Sequence, residues 1–391
     1  MKALNFILLI FWLLLCSHSG ENSLTLKTWN SHILRSSAST EDTLKVNEIV
    51  RRGLKFISTK DPDLAKVKQC IDSAYILSDK LKVEMPALLN LLSANYLYLT
   101  GDFRQSEEEA LRGLESARNN GEFQIMARMM LFLGRYYLKT GFFKESDDYF
   151  SNSIELARKK DIKGIITRAY QGQADIYETV KDHKSFRKSL ELMADAGFKE
   201  KDTIGVLTAL YRLGTALSDT ARLRDFHDAD SLLRKVIIIG KLYGDSTFLS
   251  GASSNLGWNF YCEKMYDSSI VNYKKAIAYG SMSSRKMSLA NPLGNLGTIY
   301  RDLKNTQAAL SFYTKALDYA TKDNDWYTLS WVYNDMCNMY LTEKDTSNAF
   351  KNYILYKKYN DQLIYSNNSA GLTEARIRYE ADSHRKEVEL L

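Results

Sequence analysis

The residue types that most often do chemistry are scattered in this sequence. Five histidines, His18, His32, His183, His227 and His384, share no His-x-x-x-His or Cys/His spacing that could close on a metal. No Gly-x-Gly-x-x-Gly or Gly-x-x-x-x-Gly-Lys run offers backbone amides to a phosphate. Ser185-x-x-Lys188 and Ser283-x-x-Lys286 have the spacing of a serine–lysine nucleophile pair, but the pattern is of low specificity and its companion motifs are missing. Cys16, Cys70, Cys262 and Cys337 are too few and too far apart for a disulfide framework in 391 residues, and the last three read as packing residues. The expectation is a non-enzymatic protein with no catalytic residues, cofactor or metal. A hydrolase is the one enzyme class worth testing.

Recognition suits the composition better. The chain carries 53 basic and 47 acidic residues, a net charge of +6, with both signs interleaved throughout. That is too mild and too dispersed for a dedicated nucleic-acid binder, so none is expected. Tyr 25, Phe 16 and Trp 5 supply many rings that must be buried or bound to something. Only three prolines occur, against roughly twenty at average usage. Such scarcity points to long, uninterrupted helices.

The chain opens with Met1 and Lys2, an apolar run over 3–16 broken only by Asn5, and then Ser17, His18, Ser19 and Gly20. This is the layout of a signal peptide over residues 1–19, with small residues placed for cleavage before Gly20. The run is too short to span a bilayer comfortably. Two other readings remain open: a lipid on Cys16, which Leu15 disfavours, and an uncleaved anchor. Each of the three exports the rest of the chain, beginning with a linker over 20–42.

The elements that would position any binding residue come from an internal repeat. Leu133-Gly134 is followed by Tyr137, Ser146, Phe150 and Ser153; Leu256-Gly257 by Phe260, Ser269, Tyr273 and Ala276; Leu296-Gly297 by Tyr300, Ala309, Tyr313 and Ala316. The offsets from the small residue agree: apolar before it, aromatic three after, small twelve after, aromatic sixteen after, small nineteen after. Extended through the chain, the small position falls at Ala94, Gly134, Ala174, Gly214, Gly257, Gly297 and Cys337, about forty residues apart, with an insertion around Ala221 to Arg224. A weaker first unit has Leu54, Val67, Ile71 and Ala74. Small residues at a crossing let two helices approach, and rings one turn away fill the gap to the next pair. The pattern therefore predicts about eight antiparallel helix hairpins over residues 43–359, stacked as one solenoid.

This signature resembles the tetratricopeptide repeat family. The Gly257 and Gly297 units match best, and the Ala174 unit departs most, with Phe186 where a small residue belongs. The resemblance covers about four-fifths of the chain and implies an all-α, right-handed superhelical solenoid of antiparallel helix pairs, with a spacing longer than the family's usual one. It also implies that first helices line a concave groove. Carrying the groove offsets over gives Asn95, Tyr98, Arg128, Arg135, Arg168, Gln171, Asp175, Tyr211, Thr215, Ser254, Trp258, Tyr261, Asn291, Thr298, Arg301, Trp331, Asn334 and Asn338 as binding candidates. Arg128, Arg135 and Arg168 would form a basic section for carboxylates or phosphates, and Trp258, Tyr261 and Trp331 an aromatic one for apolar side chains or sugar faces. The competing structural reading packs the tryptophans between repeats and pairs the arginines with acids such as Asp175. Asn255 and Asn295 stand where the family often has an inter-repeat hydrogen-bonding asparagine. The family's clamp for chaperone C-termini is not reproduced.

Beyond the repeats, residues 360–391 are highly charged, with Ile377, Ala381, His384, Val388 and Leu391 spaced as a weak helical seam. They read as a helix that either caps the last repeat or forms a stalk. An export signal, an extended repeat array and a charged helix together resemble the sensing half of bacterial envelope receptors, in which such a helix leads to a membrane span and a kinase or DNA-binding output. The expectation is an exported periplasmic or envelope protein that binds a peptide, protein or glycan segment in its groove, with membrane association through Cys16 or a downstream segment. An envelope assembly scaffold or lipoprotein is the main alternative. A cytosolic peptide-pheromone regulator comes next.

Overall fold

The computed structural model describes residues 40–59, 61–219, 225–283 and 289–390. The expected signal peptide and Cys16, the linker as far as residue 39, the insertion at 221–224 and Lys286 lie outside the described residues.

Among the described residues the elements are helices alone: α1 (Thr40–Ile57), α2 (Leu64–Leu81), α3 (Ala87–Thr100), α4 (Phe103–Asn119), α5 (Phe123–Thr140), α6 (Phe143–Lys160), α7 (Ile166–Thr179), α8 (His183–Glu200), α9 (Thr203–Ser218), α10 (Phe226–Tyr243), α11 (Ser246–Cys262), α12 (Tyr266–Met282), α13 (Ala290–Asp302), α14 (Thr306–Asp323), α15 (Trp326–Thr342) and α16 (Thr346–Leu390). Successive helices pair as hairpins, giving an all-α solenoid. The small residues Ala94, Gly134, Ala174, Gly214, Gly257, Gly297 and Cys337 all fall on the first helix of a hairpin.

Local chemistry explains the breaks between helices without proline. Lys181, Lys201, Lys304, Asn324 and Lys344 sit at positive φ, and each is followed by an Asp or Asn. Asp182, Asp202, Asn305, Asp325 and Asp345 then accept the backbone N–H three residues on, capping the helix that begins there. Gly101 and Gly244 play the left-handed part before Asp102 and Asp245.

The chain divides into two compact units, up to Met129 and from Met130, the boundary falling within α5. In the first, the small residue at the α1 crossing is Gly53, next to the half-buried Leu54. A Cβ on Gly53 would lie 2.5 Å from Leu92 and 3.1 Å from Cys70, so the weak first unit does carry the small position. It escaped the register because the following loop is longer, which puts Val67, Ile71 and Ala74 two residues late.

In the second unit the repeat signature has a direct packing cause. A Cβ on Gly134 would meet the Phe150 ring at 2.6 Å, one on Gly257 the Tyr273 ring at 3.0 Å, and one on Gly297 the Tyr313 ring at 2.5 Å. Each glycine is thus a seat for the ring sixteen residues later. Where the residue twelve later is serine, its hydroxyl donates back to the seat's carbonyl: Ser146 to Gly134 and Ser269 to Gly257, both at 2.6 Å. Tyr137 stacks on Tyr149 and Tyr300 on Phe312, tightening the same hairpins. The Ala174 hairpin swaps the order of sizes: Phe186 is buried where a small residue was expected, and Leu190 takes the ring position. Ring volume is kept but moved one turn.

The boundary expected near residue 360 does not interrupt the chain, because α16 runs on as one helix of 45 residues. Residues 367–373 are exposed all round. Further on, Ile377 is half-buried and Ala381 buried, so this part of the seam is covered. The same stretch reaches the turn into α6. There Arg378 lies over the Phe143 ring, Arg385 over the Phe142 ring, and Arg385 donates to Glu145.

Candidate functional site

Three successive first helices, α11, α13 and α15, present residues one and two turns apart to a common cleft of about 440 Å³. α11 supplies Ser254, Asn255, Trp258 and Tyr261; α13 supplies Asn291, Asn295, Thr298 and Arg301; α15 supplies Tyr327, Trp331 and Asp335; Tyr273 of α12 completes the lining. Steps of four and three residues along each helix place these side chains on one face. The opposite faces are spent on packing, as with Leu256, Leu296 and Val332.

Seven of the residues singled out from sequence therefore meet here: Ser254, Trp258, Tyr261, Asn291, Thr298, Arg301 and Trp331. Tyr273, Tyr327 and Asp335 were missed. Tyr273 was assigned wholly to the core by its place in the repeat, Tyr327 lies at the very start of α15, and Asp335 has no counterpart among the offsets carried over.

A polar network organises the cleft. Arg301 donates to Asp302 through Nε at 3.0 Å and Nη2 at 2.8 Å, and its Nη1 lies 2.7 Å from Asp335. Asp335 also accepts from Thr298 at 2.7 Å and from the Tyr313 hydroxyl at 3.0 Å. Tyr261 donates to Asp302 at 2.9 Å, from one hairpin to the next. Burial works to lower the Arg301 pKa, but the two carboxylates outweigh it and hold the guanidinium charged, well above its ordinary value. Burial, and then the bond to Asp302, push the Tyr261 phenol up. The guanidinium and the Tyr261 hydroxyl thus remain donors over the accessible pH range.

The Tyr273 hydroxyl differs. Tyr273 is 1% exposed, burial pushes its phenol far up, and its oxygen has no hydrogen-bond partner among the described residues. The aromatic walls are partly open: Trp258 is 36% exposed and tilted against Tyr261, and Tyr327 is 61% exposed. Trp331 is half-buried, seated on Gly294, where a Cβ would come within 2.4 Å of its ring. Trp331 therefore packs between hairpins and still lines the cleft. Asn255 donates to Thr215 of the preceding first helix at 2.7 Å, an inter-hairpin bond. Asn295 departs from that pattern. It donates to Asn291 in its own helix.

The other candidates lie elsewhere. Arg135 and Arg168 are exposed, Gln171 is half-buried, and Asp175 is engaged by Arg212 at 2.6 Å, with Glu178 as that arginine's second partner. The arginine that pairs with Asp175 is thus Arg212, which reaches back one hairpin and lies over Phe186. Burial raises the Asp175 carboxyl and Arg212 offsets part of the rise. Tyr211 packs edge-on to Phe248, and Thr215 accepts from Asn255. Asn334 is half-buried and Asn338 exposed, neither on the cleft. In the first unit, Asn95 donates to Leu91 in its own helix, Tyr98 packs edge-on to Phe103, and Arg128 is exposed. Among the described residues no group of three His, Cys, Asp or Glu could hold a metal, and no helix is long and apolar enough to cross a membrane.

Residues 290–323, the α13–α14 hairpin, match the family model described as tetratricopeptide repeat. The chain folds as an all-α, tetratricopeptide-like solenoid, one hairpin of which matches that family model. Among solved structures, the apo form of RapI has a TM-score of 0.64 at 10% identity, covering 88% of this chain and 94% of its own. A signal-transduction ATPase with a tetratricopeptide repeat sensor, from Pyrococcus horikoshii, has a TM-score of 0.61 at 12% identity over 90% of this chain and 55% of its own. At such identities the likeness is one of fold. No curated protein matches the sequence. The matched hairpin of this repeat protein supplies the centre of the cleft, from Asn291 to Arg301.

Proposed function

We propose that this solenoid recognises an extended peptide or protein segment along α11, α13 and α15, as the sensing region of a signalling system in the bacterial envelope. The observation that carries the reading is the cleft itself. Two tryptophans, two open tyrosine rings and three asparagines converge from three consecutive first helices, where packing alone would favour aliphatic residues. An extended segment would lay side chains on the rings and backbone amides against Asn and Ser groups. The sensor role draws support from the similar fold in a protein whose repeats are described as a sensor. The leader-like run at residues 1–19 supports an envelope location.

Selection from a random heptapeptide display library tests the binding reading. The expected result is a set of peptides that bind the wild type at least about tenfold better than a Trp258→Ala/Trp331→Ala variant of unchanged helicity, a difference of about 1.4 kcal/mol. No enrichment over that variant would overturn it. Recovery from the envelope fraction of a chain beginning at Gly20 would support the location, and recovery only from the cytosol with Met1 intact would overturn it.

A further inference from the structure

The cleft is asymmetric in what it offers a ligand. Among the described residues its charged lining is Arg301 and Asp335, and Arg301 also holds Asp302. One guanidinium thus faces two carboxylates, leaving an excess of one negative charge. Three of the guanidinium's N–H groups lie on carboxylate oxygens, so its fork is occupied and is not presented to an incoming anion. The aromatic walls add the negative faces of Trp258, Tyr327 and Trp331.

Hydrogen-bonding capacity is biased the same way. Asn255 and Asn295 spend an amide N–H on Thr215 and Asn291, and Tyr261 spends its proton on Asp302. The orphan hydroxyl of Tyr273 has a clear origin. Tyr313, forty residues later, satisfies its own hydroxyl on Asp335, whereas the place forty residues before Asp335 is held by Asn295, already bonded to Asn291. Among the described residues the Tyr273 hydroxyl thus has no partner for either its proton or its lone pairs.

Resting on the peptide-binding reading, we infer that this cleft takes a cationic group: a lysine or arginine side chain of the bound segment, stacked on the Trp258 and Trp331 rings beside Asp335 and Asp302. Cation–π contact and an uncompensated carboxylate act together on such a group. A glutamate or aspartate in its place would meet like charge and an engaged arginine.

Synthetic heptapeptides identical but for a central Lys, Arg, norleucine or Glu, titrated against tryptophan fluorescence at low salt, test this. Lys and Arg peptides should bind about tenfold tighter than the norleucine peptide, and the Glu peptide weakest. The Asp335→Asn variant, which frees part of the Arg301 fork, should erase the Lys preference and improve the Glu peptide. Equal or better binding of norleucine or Glu peptides to the wild type, sensitive to Trp258→Ala, would overturn the cation assignment and leave the peptide-binding reading standing. Absence of binding by all four would overturn both.

Discussion

Arg385 donates to Glu145 at 2.6 Å across 240 residues of sequence, joining the end of α16 to the first turn of α6. Around this pair, Arg378 and Arg385 lie over the Phe143 and Phe142 rings, and the side chain of Arg378 rests 3.0 Å from where a Cβ of Gly141 would be. The contact is electrostatic and half-open, with 46% and 32% of the two side chains exposed. Such contacts are screened by salt and separable by single substitutions.

Glu145→Arg should release this end of α16. Like charge at Arg385 replaces attraction, and the helix beyond residue 373 loses its cover. The expected outcome is faster amide hydrogen exchange over residues 374–385 with no change in the α11 to α15 helices. A second change, Arg385→Glu, should restore protection by reversing the pair. Unchanged exchange in the single variant would show that Glu145 does not hold the helix end.

The same contact has a defined pH sign. The bond from Arg385, with smaller help from the charge of Lys144, depresses the Glu145 pKa below its ordinary 4.5 in the docked state. Docking is therefore fully supported above that ordinary value and weakens as pH falls through the depressed one. Protection factors over 374–385, taken relative to the intrinsic exchange rate at each pH, should fall on acidification in the wild type. In Glu145→Gln protection should be low already and nearly independent of pH over that window.

The ring seats make a stability prediction with a built-in control. At Gly297 a Cβ would fall 2.5 Å from the Tyr313 ring, which is fully buried and cannot yield. Gly297→Ala should therefore destabilise by about 1–3 kcal/mol through overpacking, despite the better helix propensity of alanine. Gly257→Ala, with 3.0 Å to Tyr273, should cost less. Gly371 lies in α16 with nothing within 4 Å of its Cβ position, so Gly371→Ala should stabilise by about 0.5–1 kcal/mol. Thermal unfolding of the three variants checks the order.

These contrasts show why some of the molecule was legible in the sequence. Glycine, ring and serine recur at fixed offsets because each hairpin repeats the same physical contact, as in Ser146 to Gly134 and Ser269 to Gly257. Tryptophan and arginine on first-helix faces then marked half of the cleft. What stayed hidden was set by pairing between hairpins. Asp335 stands at the repeat position of Asn255 and Asn295, but its weight comes from the convergence of Arg301, Thr298 and Tyr313 on it. Arg212 took Asp175 away from the arginines expected to use it. The docking of α16 was invisible for a similar reason, since Arg385 and Glu145 look like two ordinary surface charges until the helix is long enough to bring them together.

Tyr273 and Tyr313 provide the sharpest test of the cleft. Both rings are fully buried and occupy the same place in adjacent hairpins, so Phe substitution removes one hydroxyl and almost no packing. At Tyr313 that hydroxyl donates to Asp335, and Tyr313→Phe strips a carboxylate of one of its donors. The expected loss is about 1–2 kcal/mol in urea unfolding. At Tyr273 the hydroxyl has no partner, so Tyr273→Phe removes an unpaid desolvation and should be neutral or stabilising. If the Tyr273 oxygen serves a ligand donor, the same variant, no less stable than the wild type, should bind the Lys heptapeptide several-fold more weakly. A Tyr273→Phe protein that is less stable than the wild type would mean that the hydroxyl already has a partner within the fold, and binding unchanged in a stable variant would remove Tyr273 from the ligand's path.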